Sequence, residues 1–231
     1  MKCFICSIAV MMTLHGYSQK NSWTVQAGNT IEQTLGDSII YRYPQFKPGL
    51  VYFKDGHITN AYLNLNFVHG EMQFIAPSKD TLSVADEATI KYIVIDRDTF
   101  YYSKVFIELV HSNSVAGIGR LEVLKQGNLE KEGGYGQKSS TTAINTTNTL
   151  YTNNQGYKLT ENAFITLHKE TVYFIGDRFD NFMPATKKNI YKMFNKQKAT
   201  IDAFLDENKN TLNNEEKLVK LVDVIAEDKM N

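Results

Sequence analysis

Cysteine is scarce in this chain of 231 residues, where Cys3 and Cys6 are the only two. Their C-x-x-C spacing is that of a redox dithiol or of half a zinc site. A redox dithiol needs a strand followed by a helix N-terminus, which lowers the pKa of the attacking thiol. Tetrahedral zinc needs two further Cys or His ligands at a matching spacing. Neither context surrounds the pair, so we predict no redox, metal or cofactor chemistry at these cysteines.

Charge is also scarce at the N-terminus, where Lys2 is the only charged residue among the first 19. It precedes an apolar run at residues 3–12 and then the small and polar residues of HGYSQ. This order is that of a secretory signal peptide, and the run is shorter than the roughly 20 residues of a membrane-spanning helix. We predict a signal peptide at residues 1–19. Both cysteines stand at the start of the apolar run rather than after it, which disfavours a lipid anchor on cysteine.

Export would leave the mature chain without cysteine and therefore without disulfides in an oxidising compartment. Its stability must then come from its own core, for which about 210 residues are sufficient. We predict an extracytoplasmic location after removal of the signal peptide, in the periplasm, at the outer membrane or in the medium.

Neither sign of charge is in excess, since 25 Lys and Arg face 25 Asp and Glu, and loss of Lys2 changes the balance to −1. This balance argues neither for nucleic acid nor for an acidic partner, and we predict no nucleic-acid partner. The 42% apolar and 22% charged residues are ordinary for a globular protein. Aromatic residues at 12%, together with many β-branched ones, favour a sheet.

The chain between residues 50 and 125 has the alternation and turns of antiparallel strands. Asp55-Gly56 separates two apolar-rich runs, which is the strongest short hairpin signal. In the second run every other residue is apolar: Leu63, Leu65 and Phe67. Asn64 and Asn66 lie between them, which predicts one buried face and one hydrated face.

Three further stretches complete the predicted sheet and its loops. The almost continuously apolar residues 90–95 are predicted to form a central strand covered on both faces. Residues 127–160 are rich in Gly, Ser, Thr and Asn, which predicts a long hairpin tip or a partly ordered insertion. A last hairpin is predicted to turn at His168-Lys169.

After Pro184 the apolar period changes from two to about 3.6, which indicates helix. A helical face, broken near Asn195, is predicted for five residues: Ile190, Phe194, Ile201, Phe204 and Leu205. Asn213 and Glu216 have the spacing of a capping box that opens a last helix. The apolar stripe of that helix is Leu218, Leu221, Val222 and Ile225.

The predicted fold class is therefore mainly β with a C-terminal helical segment (α+β). The sheet is expected to be an antiparallel meander, or an open roll or barrel, with the helices packed at its end. Residues 20–183 are assigned to the β domain, including the insertion at 127–160, and residues 184–231 to the helical segment.

Three stretches resemble a known family: GLVYFKDGHITNAYLNLNFVHGEMQFI, IKYIVIDRDTFYY and NIYKMFNKQKATIDAFLDENKNTLNNEEKLVKLVDVI. They are similar to exported proteins of unassigned function that are common in Bacteroidetes-type Gram-negative bacteria. The similarity spans roughly residues 48–125 and 172–228. It implies a location in the cell envelope, and it carries over no catalytic residues.

Outside the predicted signal peptide, all the histidines are expected at turns: His57, His69, His111 and His168. His57 and His69 would stand at opposite ends of one strand, up to about 40 Å apart at about 3.3 Å per residue, so they are not expected to share a metal. Asp96 and Asp98 would share one face of a strand. A paired-carboxylate site is conceivable there, although solvated charges at a strand end are favoured.

A run of positive charge precedes the last helices, with no acidic residue between Asp180 and Asp202. It consists of Lys187, Lys188, Lys192, Lys196 and Lys198. On a helix these residues could contact anionic lipid headgroups or lipopolysaccharide. An ordinary solvated helix face is the favoured alternative.

Two hypotheses of function follow. The first, which we favour, is a non-catalytic exported module that binds a protein or a surface component of the envelope. The second is a hydrolase or carbohydrate-active enzyme whose site comes together from distant strands. Asp96, Asp98 or His111 in a deep pocket would favour the enzyme, whereas a lining of Tyr, Phe and Leu would favour a small apolar ligand.

Three aromatic residues could form a pocket rim or, more simply, an extended core segment: Tyr41, Tyr43 and Phe46.

Overall fold

The computed structural model describes residues 22–26, 29–132, 138–140, 163–209 and 211–230. The predicted signal peptide, with Cys3 and Cys6, lies outside these residues, as does most of the predicted insertion at 127–160. None of the helices in the described part of the chain is long and apolar enough to cross a membrane.

Twelve antiparallel strands form one sheet in the described residues. They are β1 (Ser22–Gln26), β2 (Lys47–Phe53), β3 (Ile58–Asn66), β4 (Glu71–Ile75), β5 (Thr81–Ser83), β6 (Ile90–Ile95), β7 (Asp98–Tyr102), β8 (Phe106–Ser112), β9 (Ala116–Glu132), β10 (Lys138–Ser140), β11 (Ala163–Asp177) and β12 (Phe182–Pro184).

The strand order is β1-β11-β9-β8-β7-β6-β2-β3-β4-β5, with β10 beside β9 and β12 beside β11. Strands β2 to β5 and strands β6 to β9 each pair with the next in sequence, so two meanders meet where β2 pairs with β6. The order ends at β1 and at β5, and the sheet is open. The predicted class of an antiparallel sheet followed by helices is confirmed.

Five α-helices accompany the sheet in the same residues: α1 (Ile31–Thr34), α2 (Asp37–Ile40), α3 (Lys187–Met193), α4 (Lys198–Glu207) and α5 (Glu215–Met230). The two short helices α1 and α2 were not predicted. The predicted break near Asn195 is confirmed, because a 3-10 turn at Asn195–Gln197 separates α3 from α4. The predicted stripe of α5 is confirmed too, since its four apolar side chains are fully buried.

The start of α5 differs from the prediction by one residue. The Oδ1 atom of Asn214 accepts a hydrogen bond from the backbone N–H of Lys217 at 2.9 Å, which makes Asn214 the N-cap. Asn213 belongs to the preceding 3-10 turn. The predicted capping box of Asn213 and Glu216 is therefore wrong. Asn213 and Asn214 are both suitable N-cap residues, and because Asn213 is part of the 3-10 turn, Asn214 caps the helix.

The Asp55-Gly56 hairpin is confirmed, and Gly56 has a φ of +91°, where a side chain would be strained. A second tight turn corrects the placement of Asp96 and Asp98. Ile95 pairs with Asp98, and Asp96 lies in the turn with a φ of 54°. The two carboxylates therefore do not share one face of a strand.

The predicted turn at His168-Lys169 is wrong, because both residues lie inside the continuous strand β11. Polar residues are accommodated there by contacts across the sheet. The Nζ atom of Lys169 is 3.0 Å from a carboxylate oxygen of Glu122 and lies over the ring of Phe67. His111 is likewise in a strand, β8, and so the prediction that all four histidines lie at turns holds only for His57 and His69.

Strand β6 is central, as predicted, because it lies between β2 and β7. It is not covered on both faces, since Lys91 is exposed while Tyr92 and Val94 are half-buried. The buried residues of β6 are Ile90, Ile93 and Ile95. On the second face of this strand the side chains are partly hydrated. A count of apolar residues does not distinguish such partly hydrated side chains from fully buried ones.

Asn64 and Asn66 are the largest departure from the predicted pattern, because they are 1% and 2% exposed. The chain before β2 covers them. The side-chain amide of Asn64 accepts from the N–H of Tyr43 at 3.1 Å and donates to the C=O of Tyr43 at 2.9 Å. Asn66 donates to Gln73 and accepts from the N–H of Val68. Protein groups therefore bind each side-chain amide where the alternating pattern predicted water.

Most of the buried apolar side chains form two clusters. One lies among α1, α2, the strands β2–β4 and β6–β8, and parts of β1, β9 and β11, and it includes Leu63, Ile93 and Phe100. The other lies between the helices α3–α5 and the strands β9 and β11, and it includes Ile118, Ile175 and Leu221. The cross-strand row Phe100, Glu108, Arg120 and Tyr173 runs from the first cluster to the second. Charged residues therefore occupy the boundary between two cores.

Candidate functional site

An apolar cleft with a volume of about 740 Å³ lies on the part of the sheet formed by β2, β3 and β4. Residues from these strands and from the segment after β5 line it, among them Val51, Phe53, Ala61, Leu63, Phe74 and Val84. The volume falls within the roughly 300–1,000 Å³ of small-molecule sites. The cleft is therefore large enough to hold a ligand rather than a few waters.

Strand geometry determines which side chains reach the cleft. Thr59, Ala61 and Leu63 occupy alternate positions of β3 and so point to one face of the sheet. Thr59 is paired with Val51 and Leu63 with Phe74. Ala61 carries only a methyl group between two longer side chains, so the surface is lowest in the middle of this row. Ala61 is the smallest side chain that β3 contributes to the cleft, and its partner on β2 is Gly49, which is smaller still.

The lining has little capacity for acid–base chemistry. Its polar groups come from Thr59, Asn60 and the hydroxyl of Tyr62, and the lining includes no Asp, Glu, His, Lys, Arg or Cys. Tyr62 is 58% exposed. Asp96, Asp98 and His111 all lie elsewhere. A lining of this kind favours an apolar ligand with few directed hydrogen bonds.

Asp98 belongs to a network of charged groups at the boundary of the two cores. Its Oδ2 atom accepts a hydrogen bond from the hydroxyl of Tyr43 at 2.6 Å and is 3.4 Å from Nη2 of Arg42. Burial raises the pKa of Tyr43, and the hydrogen bond to Asp98 raises it further. Arg42 also donates two hydrogen bonds to Glu108, of 3.0 and 2.9 Å, which raise the pKa of the guanidinium.

Arg120 completes this network from the neighbouring strand. It donates to Glu108 at 2.9 Å and to Glu215, the first residue of α5, at 3.0 Å. Its Nε atom is buried and has no hydrogen-bond partner among the described residues. The groups pair with one another, so the arrangement joins the segment before β2, the sheet and α5. We interpret it as structural.

The histidines are dispersed over the molecule. A ring nitrogen of His111 is 2.9 Å from Oδ1 of Asp223 on α5. His69 is 3.4 Å from a carboxylate oxygen of Glu32 on α1, and the ring of His57 lies beside that of Phe53. No group of three or more His, Cys, Asp or Glu side chains that could hold a metal is present in the described ranges.

The three aromatic residues before β2 form an extended core segment rather than a rim of the cleft. Tyr43 is buried, and Tyr41 donates its hydroxyl proton to the amide oxygen of Gln73 at 3.0 Å. The ring of Phe46 meets that of Tyr41 edge to face, with 5.3 Å between centroids. None of the three lines the cleft.

The five predicted lysines are all exposed. They differ in their contacts. The Nζ atom of Lys187 is 2.8 Å from a carboxylate oxygen of Asp202, and Lys198 lies over the ring of Tyr191. The hydrogen bond to Asp202 is the main reason that the pKa of Lys187 is raised. Lys188, Lys192 and Lys196 make no ion pair with any other described residue.

Sequence reasoning missed the cleft as a site. Its lining runs from Pro48 to Ala85 and combines residues of three strands with residues of the loops after β4 and β5. Ala61 gives no clear local signal either, because the same strand also contains Asn60, Asn64 and Asn66, which have low strand propensity as well. No family model, curated protein or solved structure matches the chain. The functional interpretation therefore rests on the geometry of the protein itself.

Proposed function

We propose that the protein is a non-catalytic binding module of the cell envelope that holds an apolar ligand, of the size of a lipid acyl chain, in the cleft between β2, β3 and β4. The observation that carries this proposal is the cleft of about 740 Å³ with a mainly apolar lining and no Asp, Glu, His, Lys, Arg or Cys side chain. The envelope location rests on the signal-peptide pattern at residues 1–19 and on the family resemblance.

The size of the hydrophobic effect sets a minimum length for the ligand. Each methylene removed from water contributes about 0.8 kcal/mol. A chain of about ten methylenes would gain about 8 kcal/mol, which exceeds the lower estimate of about 4 kcal/mol for the loss of translational and rotational freedom. A chain of about five would gain no net affinity. We therefore expect binding to depend steeply on chain length.

A neutral apolar fluorophore, N-phenyl-1-naphthylamine, tests the cleft directly. We expect its fluorescence to rise on addition of the protein, and dodecanol but not hexanol to displace it. The variant Ala85→Trp places a large ring at an exposed position of the lining and should abolish the signal. Ala88→Trp is the matched control, because Ala88 is equally exposed three residues away and does not line the cleft.

Equal fluorescence with both variants would contradict the cleft as the ligand-binding site. Equal displacement by hexanol and dodecanol would show that the site does not measure chain length, which also contradicts an acyl-chain site. Circular dichroism of each variant separates loss of binding from loss of fold.

The location has its own test, which is the intact mass of the protein in each cell fraction. We expect a loss of about 19 residues and recovery from the periplasm, the outer membrane or the medium. An uncleaved chain in the inner membrane would contradict the predicted export. No observation among the described residues favours the alternative of a hydrolase or carbohydrate-active enzyme.

A further inference from the structure

Two of the three lysines of α3 are placed against the stability of their own helix, whereas Lys192 lies in its last turn, where a cation is favourable. Lys187 and Lys188 are its first two residues, and its first turn contains no acidic residue. A helix N-terminus carries a partial positive charge, so cations there are unfavourable. Lys188 and Lys192 are four residues apart, a spacing at which like charges repel one another. Helix stability alone therefore does not account for this arrangement.

Two of the five lysines already have partners within the protein. Asp202 accepts hydrogen bonds from Lys187 and from the hydroxyl of Tyr191. Lys198 lies 5.2 Å from the centre of the Tyr191 ring, and its charge contributes to the lowered pKa of Asp202. The charge available to a partner is therefore that of Lys188, Lys192 and Lys196.

The three remaining lysines face away from the core. Ile190 is fully buried and Phe194 is 6% exposed, whereas Lys188 and Lys192 are exposed. On a helix, positions 188 and 192 lie one turn apart on one side, while Ile190 is about half a turn round from Lys188. Lys196 follows in the 3-10 turn after α3 and is also exposed. We call these three lysines the basic face.

We propose that the basic face docks the protein on an anionic lipid membrane surface. Unpaired cations in consecutive turns have the charge complementary to such a surface, and each Lys near it contributes about a factor of five to binding. An anionic bilayer also relieves the repulsion between the lysines, because it supplies the countercharge that the described residues do not. Violations of local stability rules are expected at functional positions.

This surface is separate from the cleft. The helix α3 follows β12, which pairs with β11, whereas the cleft lies on β2, β3 and β4. No residue of α3, of the 3-10 turn after it, or of β11 and β12 lines the cleft. A variant of the basic face is therefore not expected to alter binding of an apolar ligand.

Sedimentation with lipid vesicles tests the proposal on the full protein. Vesicles of phosphatidylcholine with about one third phosphatidylglycerol are compared with pure phosphatidylcholine, at about 0.1 M and 0.5 M salt. We expect binding to the anionic vesicles only, and its loss at the higher salt. The triple variant Lys188→Gln, Lys192→Gln, Lys196→Gln should bind about a hundredfold more weakly.

The matched control is a triple variant with the same loss of charge elsewhere, Lys91→Gln, Lys220→Gln, Lys229→Gln. All three of its lysines are exposed and make no ion pair with another described residue. The control should retain vesicle binding. Removal of the repulsion should also leave the basic-face variant at least as stable to heat as the wild type, which separates docking from a structural role.

Three outcomes would overturn the proposal. They are equal binding to neutral and anionic vesicles, unchanged binding by the basic-face variant, and an equal loss in the control. A further test uses a soluble polyanion, polyglutamate, at the same concentration of charge. If it binds the basic face as tightly as the vesicles do, the partner is an acidic polypeptide and not a membrane.

Discussion

The Nη2 atom of Arg120 lies 2.9 Å from Oε1 of Glu108, at directly opposed positions of β9 and β8. The side chain of Glu108 is only 8% exposed, and Arg42 approaches the same carboxylate from the segment before β2. Two guanidinium groups thus share one buried carboxylate. Because the second N–H group of Arg120 reaches Glu215, the carboxylate of Glu108 couples the sheet to the helical segment.

Replacement of Glu108 by Gln should destabilise the protein by about 3 kcal/mol, because loss of one partner from a buried ion pair leaves the other charges uncompensated. Both arginines are about one quarter exposed, which limits the effect to the lower end of the usual range. The measurement is urea denaturation at pH 7. Glu170→Gln is the control, since its pair with Lys125 is about 40% exposed and should contribute less than about 1 kcal/mol. Equal losses in the two variants would contradict the buried role of Glu108.

Asn64→Ala should destabilise the protein by about 2 to 4 kcal/mol. The change leaves both the N–H and the C=O of Tyr43 buried without the partners they now have, and each unsatisfied group costs about 1–3 kcal/mol. Thermal or urea unfolding measures the loss.

Asn60→Ala on the same strand provides the comparison, because Asn60 is exposed and its loss should cost no more than about 0.5 kcal/mol. An equally small loss of stability in Asn64→Ala would mean that water replaces the side chain. The hydrated face predicted from the alternation would then describe this position correctly.

Local rules in the sequence were sufficient where neighbours along the chain decide the structure. The Asp55-Gly56 turn and the buried stripe of α5 depend on nearby residues only. The burial of Asn64 depends on Tyr43, 21 positions away, and the partners of Glu108 are 66 and 12 positions away. Alternation cannot show which segment will cover a face.

The same distinction applies to the sites. The basic face is a local property of residues 187–198, so the sequence identified its lysines. Their division into lysines with and without partners required the positions of Asp202 and Tyr191 in space. The cleft arises from side chains on three strands and from the small residue Ala61 between them. A depression in a sheet surface depends on tertiary structure and cannot be predicted from a short stretch of sequence.

Gly119→Ala should destabilise the protein by about 1–3 kcal/mol, the usual effect of overpacking. A Cβ atom at Gly119 would lie 2.2 Å from Cγ2 of Ile107 and 3.3 Å from the ring of Phe182. Ile107 is fully buried and has no space to withdraw. Gly36→Ala, where no atom lies within 4 Å of the added Cβ, should cost less than about 1 kcal/mol, because only the preference for glycine at the N-cap of α2 is lost. Unfolding in urea compares the two, and a neutral Gly119→Ala would mean that the strands β8 and β9 can move apart.

The carboxylate of Asp223 should make stability depend on pH below about 4, the ordinary pKa range of Asp. Burial alone would raise its pKa, but the hydrogen bonds donated by His111 and Asn113 outweigh burial and lower it. Since the folded protein then binds this proton less readily than the unfolded chain, the contribution is present above the unfolded pKa. It is lost as the pH falls through the lower, folded value. The side chain is 47% exposed, so the contribution should not exceed about 1 kcal/mol.

Urea denaturation of the wild type and of Asp223→Asn at pH 6 and pH 3 measures this contribution. We expect the variant to be less stable at pH 6, and the difference to shrink towards zero at pH 3, where the wild-type carboxylate begins to take up its proton. Asp228→Asn is the control, because Asp228 is exposed on the same helix and has no partner among the described residues. A difference that is as large at pH 3 as at pH 6 would assign the loss to packing between α5 and β8. The charge on Asp223 would then have no part in holding the helix on the sheet.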